Sequence, residues 1–176
     1  GDHYGYQTSL GYNTSRSHVI GNGSKNLNLR FHNVFRPIPD LEIGAGIYYV
    51  EQRQQGNGLN PRDIYGSNDW VKNQYMRLEA NGTTLPVTKD YRQTYIEKAM
   101  ENGLLDWQFR PLDELHLVDI SQKSNQLMVG SDIRYNILQG VNMAFHYQYH
   151  QGRTNGMTHY DEDSYFVRNT VNRFTQ

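Results

Sequence analysis

Hydrophobic and polar residues alternate singly in five stretches of this chain, which predicts strands over residues 3–13, 26–36, 41–52, 125–138 and 141–150. The last is the most regular. In "VNMAFHYQYH", Val141, Met143, Phe145, Tyr147 and Tyr149 take one face, while Asn142, Ala144, His146, Gln148 and His150 take the other. In the fourth stretch Leu127, Val129, Ile133, Tyr135 and Ile137 lie together, opposite Gln126, Asp132, Arg134 and Asn136. In the second, Leu27, Leu29, Phe31 and Phe35 oppose Asn28, Arg30, His32 and Arg36. In the third, Leu41, Ile43, Ala45, Ile47 and Tyr49 oppose Gly44 and Gly46, whose missing side chains leave room for a bulky neighbour or a bend. The first is more polar, with Tyr4, Tyr6, Leu10 and Tyr12 on one parity.

The connections are uneven. Pro37 and Pro39 with Asp40 mark a tight turn, and Gln139-Gly140 marks another. Residues 53–124 break the pattern and are far longer than an ordinary loop, so they read as a functional insert. Within them "TKDYRQTYIEKAMENG" predicts a short helix capped by Thr88 and stopped at Gly103. "LLDWQFRPLDELHLVDIS" reads as extended or looped chain, and a further strand is expected from residue 164. In an up-and-down meander this order puts short turns at one end and long connections at the other. That asymmetry is the mark of an outer-membrane barrel. The expected fold is therefore all-β: antiparallel up-and-down strands forming part of a large transmembrane β-barrel, with long extracellular loops that include one short helix. Alternation alone leaves a soluble β-domain open, because it cannot separate a core from hydrocarbon.

Composition narrows the choice of function. The formal net charge of −1 is spread along the chain, which gives no electrostatic case for nucleic acid. There is no cysteine, so disulfides, thiolate metal sites and cysteine nucleophiles are excluded. Tyrosine is abundant, 14 residues against 6 Phe, and its apolar body with a polar tip suits interfaces and sugar-binding faces. Mean hydropathy is −0.81, and no apolar run approaches the ~18–20 residues of a membrane-spanning helix. A membrane β-barrel is untouched by that count, since its strands are only half apolar. The opening "GDHYGYQTSL" carries no secretory signal, so the chain reads either as cytoplasmic or as a processed or excised piece.

Candidate chemistry is sparse. Trp70 and Trp107 in the insert are the ligand-binding candidates, since exposed indoles can stack on sugar rings. Tyr48, Tyr49, Tyr147 and Tyr149 fall near the predicted strand ends, where an aromatic girdle would sit. "DEDS" at Asp161–Ser164 lacks the spacing of a calcium loop and reads as a solvated loop. His146 and His150 share a strand face but stand about 13 Å apart at about 3.3 Å per residue, too far to share a metal. No catalytic constellation, metal site or cofactor motif is expected, and the chain reads as no enzyme.

"NLNLRFHNVFRPIPDLEIGAGIYY", "LPVTKDYRQTYI", "GLLDWQFRPLDEL" and "EDSYFVRNTVNRFTQ" together resemble the barrel region of SusC/RagA-type TonB-dependent transporters, outer-membrane nutrient importers of Bacteroidetes. The most specific parts lie between Leu85 and Leu115 and from Glu162 to Gln176. The resemblance implies a 22-stranded barrel with an N-terminal plug, capped by a SusD-like surface lipoprotein and powered through TonB. The cargo would be oligosaccharides or peptides, and the location the outer membrane of a Gram-negative bacterium. Plug, TonB box and most strands have no counterpart in these residues. The expectation is a partial barrel, embedded in outer-membrane lipid. The alternatives are a soluble extracellular carbohydrate-binding β-domain using Trp70, Trp107 and tyrosines, and a glycosidase-like enzyme using carboxylates of the insert.

Overall fold

The computed structural model of the chain describes residues 3–60, 64 and 77–175. Mostly antiparallel β-sheet, it contains strands β1 (Tyr4–Arg16), β2 (Gly23–Ile38), β3 (Leu41–Gly56), β4 (Glu79–Ala80), β5 (Thr83–Thr84), β6 (Val118–Leu138) and β7 (Val141–Tyr160). The helices are α1 (Gln93–Glu101), α2 (Pro111–Leu117) and α3 (Tyr165–Thr175). Five strands form one open sheet in the order β1-β2-β3-β6-β7, and β4-β5 form a separate hairpin. The chain packs as two units, each described by itself. The first comprises the described residues of 1–16, 23–54 and 122–156; the second, those of 17–22, 55–121 and 157–176.

In the first unit, β1 pairs with β2 without a break, from Tyr4 opposite Phe35 to Arg16 opposite Gly23. Gly140 takes a positive φ of 88° in the turn before β7, a conformation that glycine adopts without steric cost. The strands outrun their predicted ends: β3 continues to Gly56, β6 begins at Val118, and β7 runs 20 residues to Tyr160. The predicted limits mark where alternation stops, and alternation stops where both faces become polar. Ladder hydrogen bonds need no such alternation and continue. Tyr48, Tyr49, Tyr147 and Tyr149 accordingly lie mid-strand, not at strand ends.

The hydrophobic core lies in the second unit. Val87, Ile96, Ala99, Trp107, Phe109 and Tyr165 form it, with Leu59, Leu78, Tyr91 and Leu104 packed against them. Helix α1 begins at Gln93, so Thr88 is not its cap. Val87 is held in an antiparallel bridge to Phe109 (2.9 Å), and Asp90 accepts the Tyr165 hydroxyl (2.7 Å), which ties this stretch to the core ahead of the helix. At the other end Gly103 has φ 87°, and the Leu104 N–H reaches the Ala99 carbonyl (3.2 Å) to close the helix.

Two elements correct the expectation from sequence. The stretch around "RPLDEL" forms α2, with Pro111 in the first turn followed by Asp113 and Glu114, residues that favour a helix start. The strand expected from residue 164 is helix α3. Its inward side joins the buried Tyr165 and Asn172 with the half-buried Arg168 and Asn169, whereas Phe166, Val171 and Phe174 are exposed. Most of the apolar side chains of this helix therefore lie on its outward side.

Asn172 explains that inversion. It is 1 % exposed, and its amide donates to the Leu105 carbonyl (3.0 Å) and accepts from the Leu105 N–H (2.9 Å), replacing a missing backbone partner on both sides. Asn172→Ala would remove both hydrogen bonds and is expected to cost about 0.5–1.5 kcal/mol for each. Hydrogen exchange at the Leu105 amide checks this, with protection lost there first.

Candidate functional site

Trp107 holds the second unit together instead of facing a ligand. It is 1 % exposed, its ring packs 4.4 Å from Tyr91 and 5.9 Å from Tyr95, and its Nε1 donates to Asn169 (2.9 Å). A ring so enclosed cannot stack on a sugar. Trp70 lies outside the described residues.

Beside the core is a cavity of about 290 Å³, lined among others by Lys89, Asp90, Phe109, Glu114, Tyr165 and Asn169. Lys89 sits over the rings of Phe109 (4.3 Å) and Tyr165 (5.1 Å). Burial pushes the Tyr165 hydroxyl well above its ordinary pKa, and its hydrogen bond to Asp90 adds to the effect. Burial likewise raises Glu114, outweighing the Tyr165 N–H that it accepts (2.7 Å) and Arg168 at 3.8 Å. On Asp106 burial again acts upward. Arg110 at 2.6 Å, the Gln108 N–H and Arg168 at 3.6 Å together outweigh it and hold Asp106 below the usual carboxylate range. Each of these carboxylates is thus committed to an internal partner, and the cluster fastens α2 and α3 to the core. The "DEDS" turn belongs to the same fastening: Asp161 accepts the Asp163 and Ser164 N–H groups, and Ser164 accepts the Val167 N–H (3.4 Å) at the start of α3. Among the described residues no group of three His, Asp or Glu converges as a metal site would require.

Glu114 gives the second unit a pH signature. Its folded pKa is raised, so the folded form holds the proton more tightly than the unfolded chain. Its contribution is then fully present below the ordinary carboxylate pKa and is lost as pH rises through Glu114's own raised value. Asp106 acts in the opposite sense, since its contribution is lost as pH falls through its lowered value. Glu114→Gln keeps an acceptor for the Tyr165 N–H and is expected to abolish the loss on the rising side alone. Near-UV circular dichroism melts across the carboxylate range would register the change.

The other distinctive surface is on the sheet. Cross-strand contacts fix which side chains share a face. Arg36 pairs with Glu42 (2.6 Å), Arg134 with Glu42 (3.2 Å), and Ser124 with Thr154 (3.0 Å). A Cβ at Gly44 would lie 2.5 Å from both Asp132 carboxylate oxygens, and one at Gly46 would lie 3.0 Å from His32 Nδ1. The room left by both glycines is therefore filled by polar side chains. All these contacts join even-numbered residues of β2, β3, β6 and β7, which form one polar face.

The odd-numbered residues form the opposite face, joined by the even-numbered residues of β1. Over residues 4–12 of β1, 27–35 of β2, 41–49 of β3, 127–137 of β6 and 141–149 of β7, this face carries no charged side chain. Its few polar members are Thr8, Asn33 and Ser131, and Asn33 accepts the Tyr4 hydroxyl (3.0 Å). The band measures about 27 Å along β7, eight steps at about 3.4 Å. Its upper margin carries Tyr12, Tyr49 and Tyr149, while Tyr48 falls on the polar face. The large side chains of the band stand open: Tyr6, Leu10, Met143, Phe145 and Tyr147 are all more than half exposed, Phe145 by 57 %. At the same height the polar face carries Arg30, His32, Arg36, Glu42, Asp132, Arg134 and His146. No helix among the described residues is long and apolar enough to cross a membrane. No family model matches the chain, and no curated protein is similar enough to it to be a match.

Proposed function

We propose that this chain forms part of the wall of an outer-membrane TonB-dependent transporter of SusC/RagA type, which imports oligosaccharides or peptides with a SusD-like surface lipoprotein. The observation that carries the proposal is the uncharged band on one face of five adjacent strands, opposite a charged face at the same height. A contiguous apolar patch of that extent is rare on a water-exposed surface. Its height matches the ~9–11 residues with which a tilted strand crosses hydrocarbon. The long insert and the short turns fall at opposite strand ends, as in outer-membrane barrels.

The chain performs no chemical step in this reading. Arg30, His32, Arg134 and their neighbours line a wet path, the insert lies on the extracellular side, and energy arrives through TonB from the inner membrane. Among the described residues the edges of β1 and β7 have no strand beyond them, and hydrocarbon does not tolerate unpaired backbone groups. Further strands, from this polypeptide or another, complete the barrel. A soluble carbohydrate-binding domain would leave the band in water, and Trp107 is not available to it as a platform.

The test is nutritional. In the source bacterium, Phe145→Arg is expected to abolish growth on one class of oligosaccharide or peptide as sole nutrient, while growth on its monomers continues. Unchanged growth on every polymer supplied would contradict the transport reading.

A further inference from the structure

Above the tyrosine margin the same face gains charge within two residue pairs. Thr14, Asn125 and Gln151 come first on β1, β6 and β7, and the charged side chains reached by the second step along the five strands are Arg16, Lys25, Glu51, Arg53, Lys123 and Arg153. Five are cations and one is an anion. Glu51 is held by both Arg53 (2.6 Å) and Lys123 (3.2 Å), while Arg16, Lys25 and Arg153 have no carboxylate within ion-pair distance among the described residues. On the polar face at this level stand Asn13, Ser15, Ser24, Asn26, Gln52, Gln54, Gln122, Ser124, Gly152 and Thr154, with His150, and no Lys, Arg, Asp or Glu. Charge is thus confined to the face that continues the uncharged band. The opposite margin of the band, at the short turns, has no cation on this face: Pro37, Leu41, Ile137 and Val141 lie there.

Ordinary solvation accounts for polar residues at this level, but not for a cationic row on one face and neutral amides and hydroxyls on the other. Long basic side chains beside an apolar surface lay their stems on it and hold their charges at its edge. A row of cations at that edge attracts anionic headgroups whose acyl chains lie along the apolar surface below. Arginine adds paired donors that match phosphate oxygens.

We infer that Arg16, Lys25, Arg53, Lys123 and Arg153 form a binding site for the phosphate groups of an anionic lipid in the outward leaflet, its acyl chains lying against the band. The inference deepens the membrane reading and rests on it. The site selects a phosphate-bearing amphiphile over a zwitterionic one, and it lies only on the side of the long connections.

The experiment uses the chain within its completed barrel, reconstituted in phosphatidylcholine vesicles containing spin-labelled phosphatidic acid or spin-labelled phosphatidylcholine as probe. The expected result is a motionally restricted lipid fraction several-fold richer in phosphatidic acid. That selectivity falls to parity in R16Q/K25Q/R53Q/K123Q/R153Q and survives in the charge-conserving R16K/K25R/R53K/K123R/R153K. Inorganic phosphate at equal concentration does not displace the probe. A restricted fraction without headgroup selectivity, or selectivity that persists in the glutamine variant, overturns this inference and leaves the membrane reading standing. Absence of any restricted lipid around the unaltered, completed barrel overturns both.

Discussion

Phe145→Arg is expected to prevent stable insertion of the sheet into a bilayer, whereas His146→Arg, one residue away, leaves insertion unchanged. Both sit mid-way along the apolar stretch of β7, and their side chains leave opposite faces. On the lipid-facing side of a barrel strand, an arginine near the bilayer midplane costs about 2–4 kcal/mol. On a solvated sheet face the same exchange at a residue 57 % exposed changes stability by no more than about 0.5 kcal/mol in either direction. The two environments therefore differ by a factor of roughly ten or more in the folded population, at about 1.4 kcal/mol per tenfold. Protection of the completed barrel from protease in lipid vesicles reads the outcome. Equal protection of the two variants would place both faces in water.

Trp107→Ala carries the largest effect expected on the second unit, about 3–5 kcal/mol for emptying a buried tryptophan site. The loss combines ring contacts with Tyr91 and Tyr95 and the hydrogen bond that satisfies Asn169. Trp107→Phe returns part of the packing but leaves Asn169 Oδ1 without its donor, so it is expected to fall between the two. Hydrogen exchange along α1 and α3 measures the change without relying on indole signals. Amide protection there would collapse in Trp107→Ala and persist in the sheet. Loss of sugar binding on this substitution would then report unfolding, not removal of a stacking surface.

The sheet was legible wherever one face was apolar. Val141 through Tyr149 declare themselves because the two faces meet different surroundings. Gln151 through Tyr160 do not, because both faces there are polar or mixed while the ladder continues. Alternation reports solvent, and strand ends were misread for that reason. The β4-β5 hairpin turns at Asn81-Gly82, where both residues adopt positive φ, but two-residue strands leave no periodic trace and the sequence reading passed it over. Helix α3 was missed because Asn169 and Asn172 fill core positions by hydrogen bonding, a role that no hydrophobic pattern records. Pro111, Asp113 and Glu114 favour a helix start, yet the stretch reads as extended or looped chain because seven residues are too few to show a helical period. Trp107 as a ligand platform was an inference from residue type, and burial among Tyr91, Tyr95 and Asn169 reverses it. The cationic row was present in the sequence too, yet it means something only once five strands are placed in register.

The chain contains no cysteine, so single replacements from Val141→Cys through His150→Cys can each carry one spin label without a background. Accessibility of these labels to oxygen dissolved in lipid and to a water-soluble nickel chelate tests the central claim most directly. The expected result has a period of two. Labels at 141, 143, 145, 147 and 149 favour oxygen, with the preference weakening toward 149, and labels at 142, 144, 146, 148 and 150 favour the chelate. Accessibility to the chelate at every position, with no alternation, would contradict the placement of this face in hydrocarbon.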